Sequence, residues 1–207
     1  ADGPKDPKTN EPLIDPETGE EYPGPNDDMA ELLHDYLVKI RGPMNLPTGG
    51  TVPRFGVLSL LAMKTPIFCY DHPRLKKIAN TAFTDGRSIF VDADFMRKLV
   101  DQEKETGGKL SGMLFLLMHE LMHKLFAHVG RLKNIPPKIA NIAEDLVING
   151  KLVKGFDTIK PVPLLYEVGV GMKPEEAEKY HSMSEEVVAE MLMRQEFQKK
   201  KKKEQEK

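Results

Sequence analysis

The chain has 207 residues, 40% of them hydrophobic, and a formal net charge of −2. That is enough apolar material for one domain with a real core, and a near-neutral balance gives no reason to expect nucleic acid as a partner. The single cysteine, Cys69, excludes an intrachain disulfide, and with eleven methionines it fits a reducing cytoplasm better than secretion.

Charge is unevenly placed. Residues 1–28 carry nine acidic and two basic residues among prolines and glycines, without the apolar run of a signal peptide, and read as a flexible acidic tail. The tail holds a loose repeat, Asp6-Pro7-Lys8-Thr9-Asn10-Glu11 against Asp15-Pro16-Glu17-Thr18-Gly19-Glu20; its functional alternative is a propeptide or docking segment. Asn26-Asp27-Asp28 caps a first helix, Met29 to about Arg41, with Leu32, Leu33, Tyr36, Leu37 and Ile40 at helical spacing. Gly42-Pro43 stops it, and residues 42–54 read as a Pro/Gly-rich loop. Residues 55–63 are almost wholly apolar, a buried helix or strand.

Ile67–Tyr70 reads as a short strand and Arg74 to Asn80 as a short helix. Thr81–Thr84 and Arg87–Val91 flank Asp85-Gly86, a hairpin pattern. Asp92 caps a helix from about Ala93 to Glu105, and Gly107-Gly108 separates it from a helix over about Ser111–Val129 that is apolar nearly all round. Pro136-Pro137 opens a helix over about Lys138–Leu152. A loop with Pro161 and Pro163 follows, and a last helix starts near Ser184. The pattern is that of an α+β domain over residues 29–197, mostly helical with a small mixed or antiparallel sheet. Residues 198–207 form a Lys-rich tail or linker. No apolar run reaches the ~20 residues needed to span a bilayer.

Inside the most apolar helix stands His119-Glu120-Leu121-Met122-His123. Residues four apart share a helix face, so both imidazoles project together and can bind one Zn²⁺. Glu120 is turned by about 100°, where it reaches water at the metal without being a ligand. Three polar groups in so apolar a helix are costly unless satisfied. Catalytic zinc usually keeps three protein ligands. His128 lies about 140° round the helix from His123, so it swings in only if the helix ends first; it reads as a structural histidine beside Arg131. The next helix offers Glu144 and Asp145. Asp145 shares a stripe with Asn141 and Asn149, without Lys or Arg, and is favoured as third ligand, with Glu144 second. Asn141 or Asn149 would orient the ligands.

These residues, with Thr84-Asp85-Gly86-Arg87, Asn141-Ile142-Ala143-Glu144-Asp145-Leu146-Val147-Ile148-Asn149 and Met183-Ser184-Glu185-Glu186-Val187, stand in an order that resembles a known family. It is the metallopeptidase domain found upstream of von Willebrand factor A-like domains in bacterial and phage proteins. The resemblance implies a zincin-like fold around the His-Glu-x-x-His helix, a third ligand matching Asp145, and cooperation with an AAA+ ATPase. These 207 residues carry no von Willebrand factor A-like domain after the Lys run.

The expected activity is zinc-dependent peptide-bond hydrolysis in the cytoplasm. His119, His123 and Asp145 hold the metal, and Glu120 takes a proton from the attacking water and passes it to the leaving amine. Tyr166, Tyr180 and His181 are candidate oxyanion donors, and Arg87–Val91 is a candidate sheet edge for extended substrate. Two rivals stand beside this reading. One is a non-catalytic, metal-stabilised module working with a partner such as the ATPase. The other is a nucleic-acid-linked protease or a DNA-binding protein, supported only by Lys199–Lys203, which lacks the aromatic interleaving of a nucleic-acid site.

Overall fold

A computed structural model describes residues 5, 9, 11–14, 16, 18–21, 27–108, 111–128, 131–156 and 159–205. Helix α1 (Asp27–Arg41) lays Leu33, Tyr36, Leu37 and Ile40 into the core. The loop expected over 42–54 holds a two-stranded antiparallel ladder instead, β1 (Pro43–Asn45) with β2 (Thr51–Pro53). Its prolines sit at the paired ends, Pro43 opposite Pro53, where a missing N–H is least damaging.

The apolar run at 55–63 becomes helix α2 (Val57–Lys64), tied to α1 by Arg41 Nε donating to the Ala62 carbonyl at 3.0 Å. It is only half buried. Leu58, Ser59 and Ala62 face inward, while Val57, Leu60 and Met63 are exposed, so a uniformly apolar sequence here does not mean a buried element.

Three strands form the second sheet, in the order β3 (Ile67–Tyr70), β5 (Ile89–Asp92), β4 (Ala82–Thr84). β3 runs parallel to β5 and β4 antiparallel. Side chains alternate across it with period two. Cys69, Ala82, Ile89 and Val91 point into the main core, whereas Tyr70, Phe83 and Phe90 form a separate cluster on the other face, covered by Leu75 of α3 (Pro73–Ile78) and by Leu13. The hairpin is centred one residue later than the sequence pattern suggested. Asp85 pairs with Ser88, and Asp85 Oδ1 accepts from the backbone N–H groups of Arg87 and Ser88, so Gly86-Arg87 makes the turn. Gly86 has φ 85°, a backbone state glycine adopts without penalty.

The described part of the acidic tail repeats in structure as in sequence. Antiparallel bridges join Lys5 to Pro12 and Ile14 to Glu21, each pair displaced by the period of the repeat.

Asp92 caps α4 (Ala93–Glu105), its carboxylate accepting from Phe95 N at 2.8 Å. From α4, Glu103 reaches across to accept Met113 N at 2.8 Å and Tyr36 OH at 2.5 Å, and so caps the start of α5 (Gly112–Leu125). Helix α5 is buried against α1, α2, α4, β4 and α6 (Pro137–Gly155). Two short helices follow, α7 (Pro163–Glu167) and α8 (Pro174–Tyr180), then α9 (Glu185–Gln205), which runs through the lysines expected to form a tail. Helix α6 packs tightly on α8 and α9. Gly150 permits the first contact, since a Cβ there would meet His181 N at 2.7 Å. Among the described residues no helix is long and apolar enough to cross a membrane.

Candidate metal centre

The second half of α5 presents His119, Glu120 and His123 to a cleft of about 660 Å³. The two Nε2 atoms lie 3.0 Å apart. Asp145, from the middle of α6, brings Oδ1 to 3.1 Å from His123 Nε2 and 3.4 Å from His119 Nε2. One wall of the cleft is β4, through Ala82, Phe83 and Thr84; the other is the Leu132–Ile135 turn and the start of α6.

What each imidazole does at its far nitrogen decides what its Nε2 can do. Asn149, one turn beyond Asp145 on α6, sets its Oδ1 2.9 Å from His119 Nδ1. A carbonyl oxygen only accepts, so Nδ1 donates to Asn149 and Nε2 is the nitrogen that faces Asp145. His123 Nδ1 lies 2.9 Å from His128 Nδ1, and His128 Nε2 lies 3.2 Å from Glu185 Oε1.

His128 reaches this position because α5 ends at Leu125, four residues before the expected Val129. His128 N donates to the His123 carbonyl and Ala127 N to the Lys124 carbonyl, the pair of bonds that closes a helix in a Schellman turn. Ala127 takes the left-handed position at φ 53°, where glycine is usual. The chain therefore folds back over the last turn. His128 swings in, but onto the far side of the His123 ring rather than to the point where the three atoms meet.

Electrostatics at that point favour positive charge. Burial alone would raise the Asp145 carboxyl, but hydrogen bonds from His119 and His123 outweigh it and hold the group well below the usual carboxylate range. Burial likewise opposes a charged His119, and Asp145 more than offsets it. Two imidazole nitrogens and a carboxylate oxygen, converging within 3.4 Å, form a donor set suited to a cation. Beside them Glu120 lines the cleft at 5% exposure; burial pushes its carboxyl up, with His119 and His123 pulling part of the way back.

Other sequence candidates fall elsewhere. Glu144 does not join Asp145. Its Oε2 stands 3.9 Å from His128 Nδ1, and burial, then the charges of Asp145 and Glu185, push it up to about 7. His123, His128 and Glu144 form a second trio within 4.8 Å, but Glu144 Oε2 stands 3.9 Å from His128 Nδ1, farther than the 3.1 and 3.4 Å that Asp145 Oδ1 keeps from its two histidines. Asn141 lies exposed on the cleft wall, so of the two asparagines only Asn149 meets a histidine.

Tyr166 and Tyr180 are helical rather than in loops, His181 is the residue that closes α8, and none of the three lines the cleft. Tyr166 OH donates to the Pro161 carbonyl at 3.4 Å, and His181 Nδ1 to the Glu178 carbonyl at 3.0 Å. The expected edge strand is overturned: β5 is the middle strand, buried on both faces, and β4 is the edge beside the cleft. Cys69 packs in the core off the cleft, where burial pushes its thiol up to about 12. Glu185 is not legible from sequence as a partner of His128, because the link spans 57 residues.

An α+β domain with a His-His-carboxylate cluster opening onto a cleft has the donor set that metal-assisted hydrolysis uses. The chain belongs to the family described as "Putative metallopeptidase domain", whose model matches residues 59–207. That span holds the second sheet, α5, α6 and α9, and leaves out the acidic tail, α1 and the β1–β2 ladder. No curated protein and no solved structure matches the chain.

Proposed function

We propose that this protein is a zinc-dependent peptidase of the zincin type, with zinc held by His119, His123 and Asp145. The observation that carries the reading is the convergence of their three ligand atoms at the cleft. Ligands about 2.0–2.1 Å from a tetrahedral zinc lie about 3.3 Å from one another. The separations here are 3.0, 3.1 and 3.4 Å.

Bound zinc would supply Lewis acidity, lowering the pKa of water toward ~7 and polarising a scissile carbonyl. Glu120, next to the ligands and turned from them, accepts the proton of the attacking water on its carboxylate and returns it to the leaving amine. Its burial excludes bulk water from that exchange. β4 offers the free edge along the cleft, and an extended peptide pairing with Ala82–Thr84 would lie across the ligand cluster.

Glu120→Gln tests the reading, because the amide keeps the shape and loses the base. With a fluorogenic peptide library, cleavage should fall at least about 100-fold while zinc content stays unchanged. Equal turnover by wild type and variant would remove Glu120 from the chemistry. Stoichiometric zinc with no cleavage by wild type, and a melting temperature that drops on chelation, would favour the non-catalytic metal-stabilised module instead.

A further inference from the structure

We infer that His128 and Glu185 are positioning residues for His123, acting in series to fix which of its ring nitrogens is free to bind metal. This rests on the reading of His123 as a ligand. A ligand imidazole that binds through Nε2 carries its proton on Nδ1, and that proton needs an acceptor. For His119 the acceptor is the amide oxygen of Asn149.

For His123 it is a second imidazole, which can accept or donate at Nδ1. Only the group beyond it removes the ambiguity. Glu185 Oε1, 3.2 Å from His128 Nε2, is a carboxylate oxygen and accepts, so the His128 proton sits on Nε2 and its Nδ1 lone pair faces His123. His123 then donates from Nδ1 and leaves Nε2, which faces Asp145, as the nitrogen whose lone pair a metal would take.

The series is shielded and braced. The His128 and Glu185 side chains are 2% and 4% exposed, so water does not substitute for either partner. Arg131 Nη2 lies 3.3 Å from Glu185 Oε2, and its Nε donates to Glu186 Oε1 at 3.0 Å, so Arg131 ties the residues after α5 to the first turn of α9. Glu144 Oε2, at 3.9 Å, is too far to compete for His128 Nδ1. The first turn of α9 thereby takes part in a metal centre that its sequence position gives no hint of.

The test uses the whole 207-residue chain loaded with zinc. Long-range ¹H–¹⁵N correlation spectra of the histidine side chains report the proton position on each ring. The expected pattern is Nδ1–H on His123 and Nε2–H on His128; an Nδ1–H tautomer at His128 overturns the inference. Glu185→Gln gives the second readout. The amide keeps shape but offers an N–H to His128 Nε2, so zinc affinity by chelator competition should fall about 10–100-fold. His128→Leu should lose as much, and the double variant little more than His128→Leu alone, because the two act in series. Wild-type affinity in Glu185→Gln would sink the series while leaving the zinc site standing. Failure of wild type to bind zinc, or undiminished affinity in His123→Ala, would sink the functional reading and this inference with it.

Discussion

His119 and His123 sit on one helix, four residues apart, yet their far nitrogens are held in different ways. His119 leans on Asn149, a single amide from the adjacent helix α6. His123 leans on His128, which leans on Glu185, so its support crosses a strained helix end and reaches α9. The first arrangement is short and local. The second depends on the relative placement of three segments. Two histidines that converge on one point therefore need not be equally sensitive to change elsewhere.

The largest change should erase the contrast by loosening both histidines together. Leu117, fully buried on α5 just before the motif, is the place to do it: Leu117→Ala should cost about 2–5 kcal/mol in denaturant unfolding. Gly150→Ala should act on one side. Its Cβ would stand 2.7 Å from His181 N and 3.0 Å from the Tyr180 carbonyl carbon, backbone atoms that cannot swing away, so α6 must shift off α8 beside Asn149. A loss of about 1–3 kcal/mol is expected, with weakened metal binding through His119.

Asn149→Ala should leave the fold near wild type and lower zinc affinity about 10–100-fold by chelator competition, whereas Asn149→Asp keeps an acceptor and should lose less. The smallest effect should come from the other side. Ala127 occupies a left-handed backbone position, and Ala127→Gly should raise stability by up to about 1 kcal/mol while keeping the turn that delivers His128. A fall in stability there would mean the turn is not strained as described.

The same contrast marks what could be read from sequence. That His119 and His123 share a face was legible because helical spacing is local, and that Asp145 meets them because Asn141, Asp145 and Asn149 share one stripe. Asp92 and Gly107-Gly108 bounded α4 for similar reasons, cap chemistry and backbone freedom acting within a few residues. His128 was not legible as a partner of His123. An alanine in the left-handed position gives no signal that α5 stops at Leu125, and Glu185 comes into range only once α9 packs on α6. Strand order failed likewise: Arg87–Val91 has a good strand composition, but nothing local says that β3 will pair along its outer side.

The central claim is that His119, His123 and Asp145 hold one zinc ion. Elemental analysis of purified wild type and Asp145→Ala, with circular dichroism to verify folding, tests it most directly. The account predicts about one zinc per wild-type chain and little or none in the folded variant. Zinc retained in full by Asp145→Ala, or none in wild type after reconstitution, would contradict it.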